Sequence, residues 1–186
     1  MQSKGATRRT IKTQSSAAAT VNYYRGPAGE RVTVVTSMKG IRVYKGWEDR
    51  SQELAHIDGL SLDIDPKHGK TLSFGYIVVS IAAWRSKKLS SLMLYHLAKL
   101  ALAGSALTIC VIKPDATLAG YWQRVGFDYN QAKIDFFEEH LKVQYAHLNP
   151  TLDQSVPMVA YGSTSSVYTA NVSVLGYWDE FFDVPL

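Results

Sequence analysis

The stretch that decides the fold runs from Leu72 to Phe127, and at its centre stands Trp84-Arg85-Ser86-Lys87-Lys88-Leu89-Ser90-Ser91. An apolar, β-branched run from Thr71 to Ile81 precedes this turn, and a helical pattern follows it. The whole stretch reads as strand, basic turn, amphipathic helix, strand, short helix, Gly-Phe. A turn feeding a helix N-terminus aims several amide N–H groups at one spot, and the helix dipole adds partial positive charge there. Phosphate and pyrophosphate bind to that geometry. The stretch therefore points to a phosphate-bearing cofactor handled beside a strand end.

The elements within it follow from residue spacing. Leu89, Leu92, Met93, Leu97, Leu100 and Ala101 recur at i, i+3, i+4, which predicts a helix over Leu89 to Ala103 with Ser90, Tyr95 and Lys99 off its apolar face. Gly104 stops it. Leu107 to Lys113 reads as a strand. Pro114-Asp115 starts a second, short helix, and Gly126 stands where a terminating glycine belongs. Thr71 to Ile81 reads as one central strand.

Outward from this core the chain is rich in strands. Val21 to Tyr24 and Arg31 to Ser37 are strand-like, joined by the turn Gly26-Pro27-Ala28-Gly29, and Ile41 to Trp47 offers another. Leu60, Leu62 and Ile64 alternate with Ser61, Asp63 and Asp65, the period of a half-buried strand. Asp65 to Lys70 is a turn. Glu48 to His56 has no clear period. Downstream, Ile134 to Ala146 fits a helix and Val159 to Leu175 a strand-like segment. Trp178, Phe181 and Phe182 read as core or oligomer contacts.

At 186 residues, 46% hydrophobic and 19% charged, the chain has the composition of a globular protein with a real core. Lys4, Arg8, Arg9 and Lys12 account for the whole formal net charge of +4, because residues 1–13 contain no acid. The body is therefore near neutral, and only the arm, residues 1–19, offers a handle for nucleic acid. Cys110 is the single cysteine and lies in the apolar run Ala106 to Ile112, so no intramolecular disulfide forms and a buried strand thiol is expected. The sequence has no apolar core of signal-peptide length near its start and no run of about eighteen apolar residues. The expectation is a cytoplasmic protein with no membrane partner.

The order of elements from Leu72 to Phe127 is similar to the GCN5-related N-acetyltransferases. That family marks its acetyl-CoA site with Gln/Arg-x-x-Gly-x-Gly/Ala. Arg85 matches the first position and Leu89 the hydrophobic place between the glycines; Lys88 stands at the first Gly and Ser90 at the Gly/Ala. A second mark is an Asn, a short helix bearing a Tyr, and Gly-Phe. Here Asp115 takes the Asn position, Trp122 that of the Tyr with Tyr121 beside it, and Gly126-Phe127 closes the motif. The resemblance covers about a third of the chain. Residues 1–70 show no sign of the two-helix segment that usually follows the family's first strand.

The resemblance implies an α/β (α+β) fold, a mixed central sheet flanked by helices, with residues 20–186 as one domain and an acyl-CoA-binding core near 71–127. It implies acetyl-CoA as co-substrate and an amine-bearing acceptor, protein or small molecule. Amides from Ser86 to Ser90 would cradle the pyrophosphate, with charge from Lys87 or Lys88. Lys88 suits the first Gly position only with ordinary helical or β backbone. Val79 and Ile81 would offer strand-edge groups to the pantetheine arm, and Asp115 and Trp122 complete the cofactor-binding set by position. Direct transfer to an amine needs a base, a dipole on the thioester carbonyl and an acid for the thiolate. An indole N–H is a donor but no acid, which leaves Tyr121, about 100° round the helix and so turned elsewhere, or water. Asp63 and Asp65 on the preceding strand are candidate bases, as is His68; the solvent face of an amphipathic strand is the favoured account of the two acids. The alternative function is a catalytically impaired module of the same fold that binds protein or nucleic acid.

Other signals lead nowhere. Gly69-Lys70-Thr71 resembles a P-loop end, but Ile64 stands at the required Gly and a strand follows. His56, Asp58, Asp63, Asp65 and His68 lack metal-ligand spacing. Cys110 lies mid-strand among apolar residues, a poor place for a nucleophile.

Overall fold

The structure, a computed structural model, describes residues 18–112, 114, 118–128 and 159–182. Most of the N-terminal arm, Asp115 and the helix expected over Ile134 to Ala146 lie outside the described residues. The chain is a mixed α/β protein built on two sheets. Among the described residues no helix is long and apolar enough to cross a membrane.

Strands β1 (Thr20–Arg25), β2 (Arg31–Ser37), β3 (Gly40–Lys45) and β4 (Glu53–Asp58) form an antiparallel meander. Strands β5 (Ser61–Asp65), β6 (Gly69–Phe74) and β7 (Tyr76–Val79) continue it. β7 pairs back on β4, while β5 and β6 pair with each other. β6 then runs parallel to β8 (Thr108–Ile112), and β9 (Val159–Ser163) pairs antiparallel on β8. With β10 (Asp179–Phe181) beside β1, the sheets read β10-β1-β2-β3-β4-β7 and β5-β6-β8-β9.

The run from Thr71 to Ile81, expected as one strand, is thus two strands in two sheets. Gly75 separates them, and its amide donates to the Asp58 carbonyl at 3.0 Å. Opposite lies Gly59 at φ +72, where an added Cβ would stand 3.2 Å from the Gly75 nitrogen. Both strands of the long hairpin bend together at this glycine pair, a corner that side chains would obstruct.

Helix α1 (Leu89–Ala103) crosses from β7 to β8 and buries Leu92, Met93, Leu97 and Ala101 against Val34, Ile41, Leu54, Leu72, Phe74 and Ile109. Tyr95, expected off the apolar face, is buried too, because helix α3 (Thr164–Asn171) packs on that side with Tyr168 at 5.6 Å from the Tyr95 ring. A helix covered on two sides is apolar beyond one stripe. His96 is enclosed with it: Nε2 lies 2.8 Å from the Tyr24 hydroxyl and Nδ1 3.3 Å from Thr36 Oγ1.

Three further expectations change. Val159 to Leu175 is a strand only to Ser163, whose hydroxyl accepts from the Ser166 amide at 3.0 Å and caps α3. A 3-10 segment, Val172–Gly176, continues it. Leu62 and Ile64 are exposed rather than half-buried, because β5 is an edge strand with β6 as its one neighbour in the sheet. The tail aromatics divide: Trp178 is fully buried, Phe181 meets Trp47 at 5.2 Å, and Phe182 is exposed.

Candidate functional site

The corner at Gly75 has a consequence on the other side of the hairpin. β6 and β8 are paired up to Phe74 and Val111. Beyond that point β7 follows β4 into the larger sheet while β8 stays in the smaller one, and a cleft of about 620 Å³ opens between them. Gly75 to Val79 form one wall, and Val111, Leu118, Tyr121 and Trp122 line the rest. Arg85 and Arg124, both exposed and neither ion-paired among the described residues, bring two guanidinium groups to its rim.

In an antiparallel ladder hydrogen-bonded and non-bonded pairs alternate. The Ser80 amide donates to the Leu54 carbonyl at 2.9 Å. On that register Ile57–Ile77 and Ala55–Val79 are the non-bonded pairs, so Ile77 and Val79 turn their amides and carbonyls away from β4. The Val79 carbonyl accepts from Arg85 Nε on that side, at 3.5 Å. Ile81 lies past the end of β7, and its carbonyl accepts from the Trp84 amide at 2.9 Å.

The turn from Ile81 to Lys88 packs a 3-10 segment, Ala82–Trp84, against the start of α1. The Lys87 amide is taken by the Trp84 carbonyl at 3.2 Å. No side chain caps the first turn of α1, and no acid lies in it; the amides of Leu89, Ser90 and Ser91 are the helix's orphan donors. Ser86 is exposed, and Leu89 is buried beneath the turn. Lys88 has φ 56, ψ 27. A Lys at this position is expected only with ordinary helical or β backbone; instead the chain keeps the left-handed turn a glycine would make.

The basic side chains of the turn are engaged elsewhere. Lys87 Nζ stands 2.5 Å from Glu30 Oε1 and over the Trp84 ring. The pair holds Glu30 below the usual carboxylate range, chiefly through the Lys87 hydrogen bond, and raises the Lys87 pKa in turn. Trp178 Nε1 donates to the Lys87 carbonyl at 2.9 Å, and Lys88 Nζ lies 5.3 Å from the Tyr177 ring centre.

Helix α2 (Ala119–Arg124) brings both Tyr121 and Trp122 to the cleft. The angular separation expected to turn Tyr121 away is insufficient, since the cleft wraps one corner of this short helix. The Tyr121 hydroxyl and Trp122 Nε1 are enclosed, and neither forms a well-made hydrogen bond. Burial raises the Tyr121 pKa, while the Ser90 hydroxyl and Arg124 act in the opposite sense. Nothing in the sequence marked these two donors as unpaired, since pairing depends on what folds over them.

Asp63 stands apart from this cleft. It is exposed, accepts from the Ser61 hydroxyl, and lines a separate hollow of about 300 Å³ with Thr71, Ser73 and Cys110. Cys110 and Val111 alternate along β8, so the hollow and the cleft lie on opposite faces of that strand. Near the hollow, Asp65 accepts from the Lys67 and His68 amides at 2.8 Å each and from the Tyr161 hydroxyl at 3.1 Å. His56 pairs with Glu53 at 2.6 Å, and Asp58 with Arg42 at 2.5 Å. Among the described residues no group of three His, Cys, Asp or Glu is placed to hold a metal.

No family model matches the sequence, and no curated protein matches it. Among solved structures the chain is similar to Arabidopsis thaliana Naa50 in complex with the bisubstrate analogue CoA-Ac-MVNAL. The identity is 13% and the TM-score 0.44, over 68% of this chain and 74% of that one.

Proposed function

We propose that the cleft between β7 and β8 binds an acyl-CoA and that the chain transfers the acyl group, acetyl in the simplest case, to a primary amine. The observation that carries this reading is the open edge of β7. Ile77 and Val79 present backbone groups to a cleft that leads to the uncapped N-terminus of α1. A pantetheine arm, itself a chain of amides, pairs with such an edge as an added strand does. The diphosphate then meets the free amides of Leu89, Ser90 and Ser91, with Arg85 at the rim.

Transfer proceeds by direct attack. The amine nitrogen bonds to the thioester carbon, the carbonyl electron pair moves onto oxygen, and its return expels the thiolate. The ammonium proton leaves to solvent through the open mouth of the cleft, with Asp63 held on the other face of β8. Tyr121 donates its proton to the leaving sulfur; its raised pKa keeps it protonated near neutrality.

Trp122 in place of the family's usual acid favours a second reading, a module of this fold that binds without transferring. Calorimetric titration with acetyl-CoA, using desulfo-CoA and adenosine 3′,5′-bisphosphate as controls, tests both. Micromolar binding with turnover of an amine panel supports the transferase, and binding without turnover supports the module. Absence of binding by folded protein removes the transferase and leaves a module that binds protein or nucleic acid, to be sought by partner pull-down.

A further inference from the structure

Strand β5 leaves one side of the smaller sheet open. It is the end strand of the order β5-β6-β8-β9, and all its residues except the half-buried Asp65 are exposed. Side chains alternate along it, so Leu62 and Ile64 share one face and Ser61, Asp63 and Asp65 the other. The apolar pair lies on the α1 side: a Cβ on Gly104, just past that helix, would stand 3.5 Å from Leu62 Cδ2. Ile64 is 74% exposed there, and Leu102 in the last turn of α1 is 48% exposed. An open edge flanked by exposed apolar side chains is a place for another strand to add. The acids on the other face restrict which strand. Asp65 already accepts from the Lys67 and His68 amides and the Tyr161 hydroxyl, and Asp63 accepts from the Ser61 hydroxyl.

We infer that β5 pairs antiparallel with β5 of a second copy of this chain. The two-fold axis of such a pair stands perpendicular to the sheet and passes through one residue, so each face continues the same face of the other copy. A centre at Asp63, Ile64 or Asp65 brings carboxylates directly opposite one another, and like charges so placed are destabilising. A centre at Ser61 leaves Ile64 outside the apolar pairing and runs Asp63 onto the Gly59 bend. A centre at Leu62 sets Ser61 opposite the partner's Asp63, Leu62 opposite the partner's Leu62, and Leu60 opposite the partner's Ile64. Each Asp63 carboxylate then meets a hydroxyl, and each apolar side chain meets another. The strand is complementary to itself in this one register, which is what selects a second copy over an unrelated strand. The two sheets join as β9-β8-β6-β5-β5-β6-β8-β9. Five residue pairs make a small contact, in the class under about 1,200 Å² whose association is weak and concentration-dependent. No residue of β5 lines the cleft, so the interface and the proposed acyl-CoA site stand or fall separately.

Sedimentation velocity of the full chain tests this. The weight-average mass should rise from one chain towards two as concentration increases through the micromolar range. Ser61→Asp, which sets an acid opposite the partner's Asp63, and Ile64→Lys should each weaken the dimer about tenfold, because the two-fold axis repeats each change. Ser61→Lys should tighten it by a similar factor. Ser61 and Ile64 are both exposed, so these variants keep the fold, which circular dichroism checks. Cysteine substitution reads the register. Leu62→Cys should form an intermolecular disulfide on mild oxidation, and Asp63→Cys and Ile64→Cys should not. The wild type, whose Cys110 is buried, is the blank. A wild-type chain that stays monomeric throughout, or a dimer indifferent to the changes at Ser61 and Ile64, overturns the inference. A disulfide from Asp63→Cys or Ile64→Cys in place of Leu62→Cys overturns it as well.

Discussion

Lys87 Nζ and Glu30 Oε1 stand 2.5 Å apart, tying the turn before α1 to the turn between β1 and β2. The lysine that a phosphate site would recruit is thus already held by a carboxylate from another part of the chain. A diphosphate at the start of α1 would compete with Glu30 for it. Glu30→Gln should tighten binding of acetyl-CoA and adenosine 3′,5′-bisphosphate several-fold at low salt, and the gain should shrink as ionic strength rises. The double change Lys87→Glu and Lys88→Glu should abolish binding without unfolding the protein. Titration of both variants at two salt concentrations checks this, and unchanged affinity in the double variant removes the phosphate role of the turn.

The close approach of α2 and α3 gives a stability prediction. Gly126 has φ +102, and a Cβ there would lie 2.7 Å from the Ser166 carbonyl oxygen and 2.8 Å from Val167 Cα. Those are backbone atoms of α3, which cannot swing aside as a side chain does. Gly126→Ala should cost roughly 3 kcal/mol, combining backbone strain with the forced separation of the two helices. Gly29 supplies the comparison, at φ +84 with nothing within 4 Å of an added Cβ. Gly29→Ala should cost about 1 kcal/mol, from the positive φ alone. Denaturant midpoints of the two variants separate strain from clash.

His96 makes the fold sensitive to acid. Desolvation, with Lys99 adding to it, lowers its pKa from 6.5 to about 3. Between those values the unfolded chain takes a proton that the folded chain refuses. Stability is then complete above pH 6.5 and falls as pH drops towards 3, with a slope from this group approaching about 1.4 kcal/mol per pH unit. His96→Gln lacks the titration, so its stability should be flatter than wild type between pH 6.5 and 4.5, where most carboxylates remain ionised. Parallel slopes would show that His96 does not stay neutral in the folded state.

The sequence made α1 legible because its apolar spacing and its stop at Gly104 report one neighbour, the sheet beneath. β8 was legible for a similar reason, as a short apolar run bounded by turn residues. Two features escaped. The break at Gly75 depends on β7 choosing β4 over β8, a long-range pairing that no local period encodes. α3 was hidden because Val167, Tyr168, Val172 and Val174 have strand-like composition; its signal was the Ser163 cap and the four-residue spacing of Val167 and Asn171. At the site, the Arg85 turn and the Tyr121-Trp122 pair were visible as residues. The Glu30 tether, the left-handed Lys88 and the orphan donors depend on tertiary neighbours.

Tyr121→Phe bears on whether the cleft catalyses. The change removes one enclosed hydroxyl that has no well-made hydrogen bond, so it should leave stability within about 1 kcal/mol of wild type. Affinity for acetyl-CoA should hold, since the diphosphate and pantetheine contacts are elsewhere. If Tyr121 protonates the thiolate, kcat should fall roughly 10²-fold with little change in KM. The raised pKa of Tyr121 sets the pH profile: an acid works only while protonated, so its titration should not limit kcat below pH 10. The Tyr121→Phe profile should lose whatever alkaline limb the wild type has above that pH. A kcat unaffected by the change would assign the proton to solvent, and a chain that binds acetyl-CoA but turns over no amine, with or without Tyr121, would be the binding module.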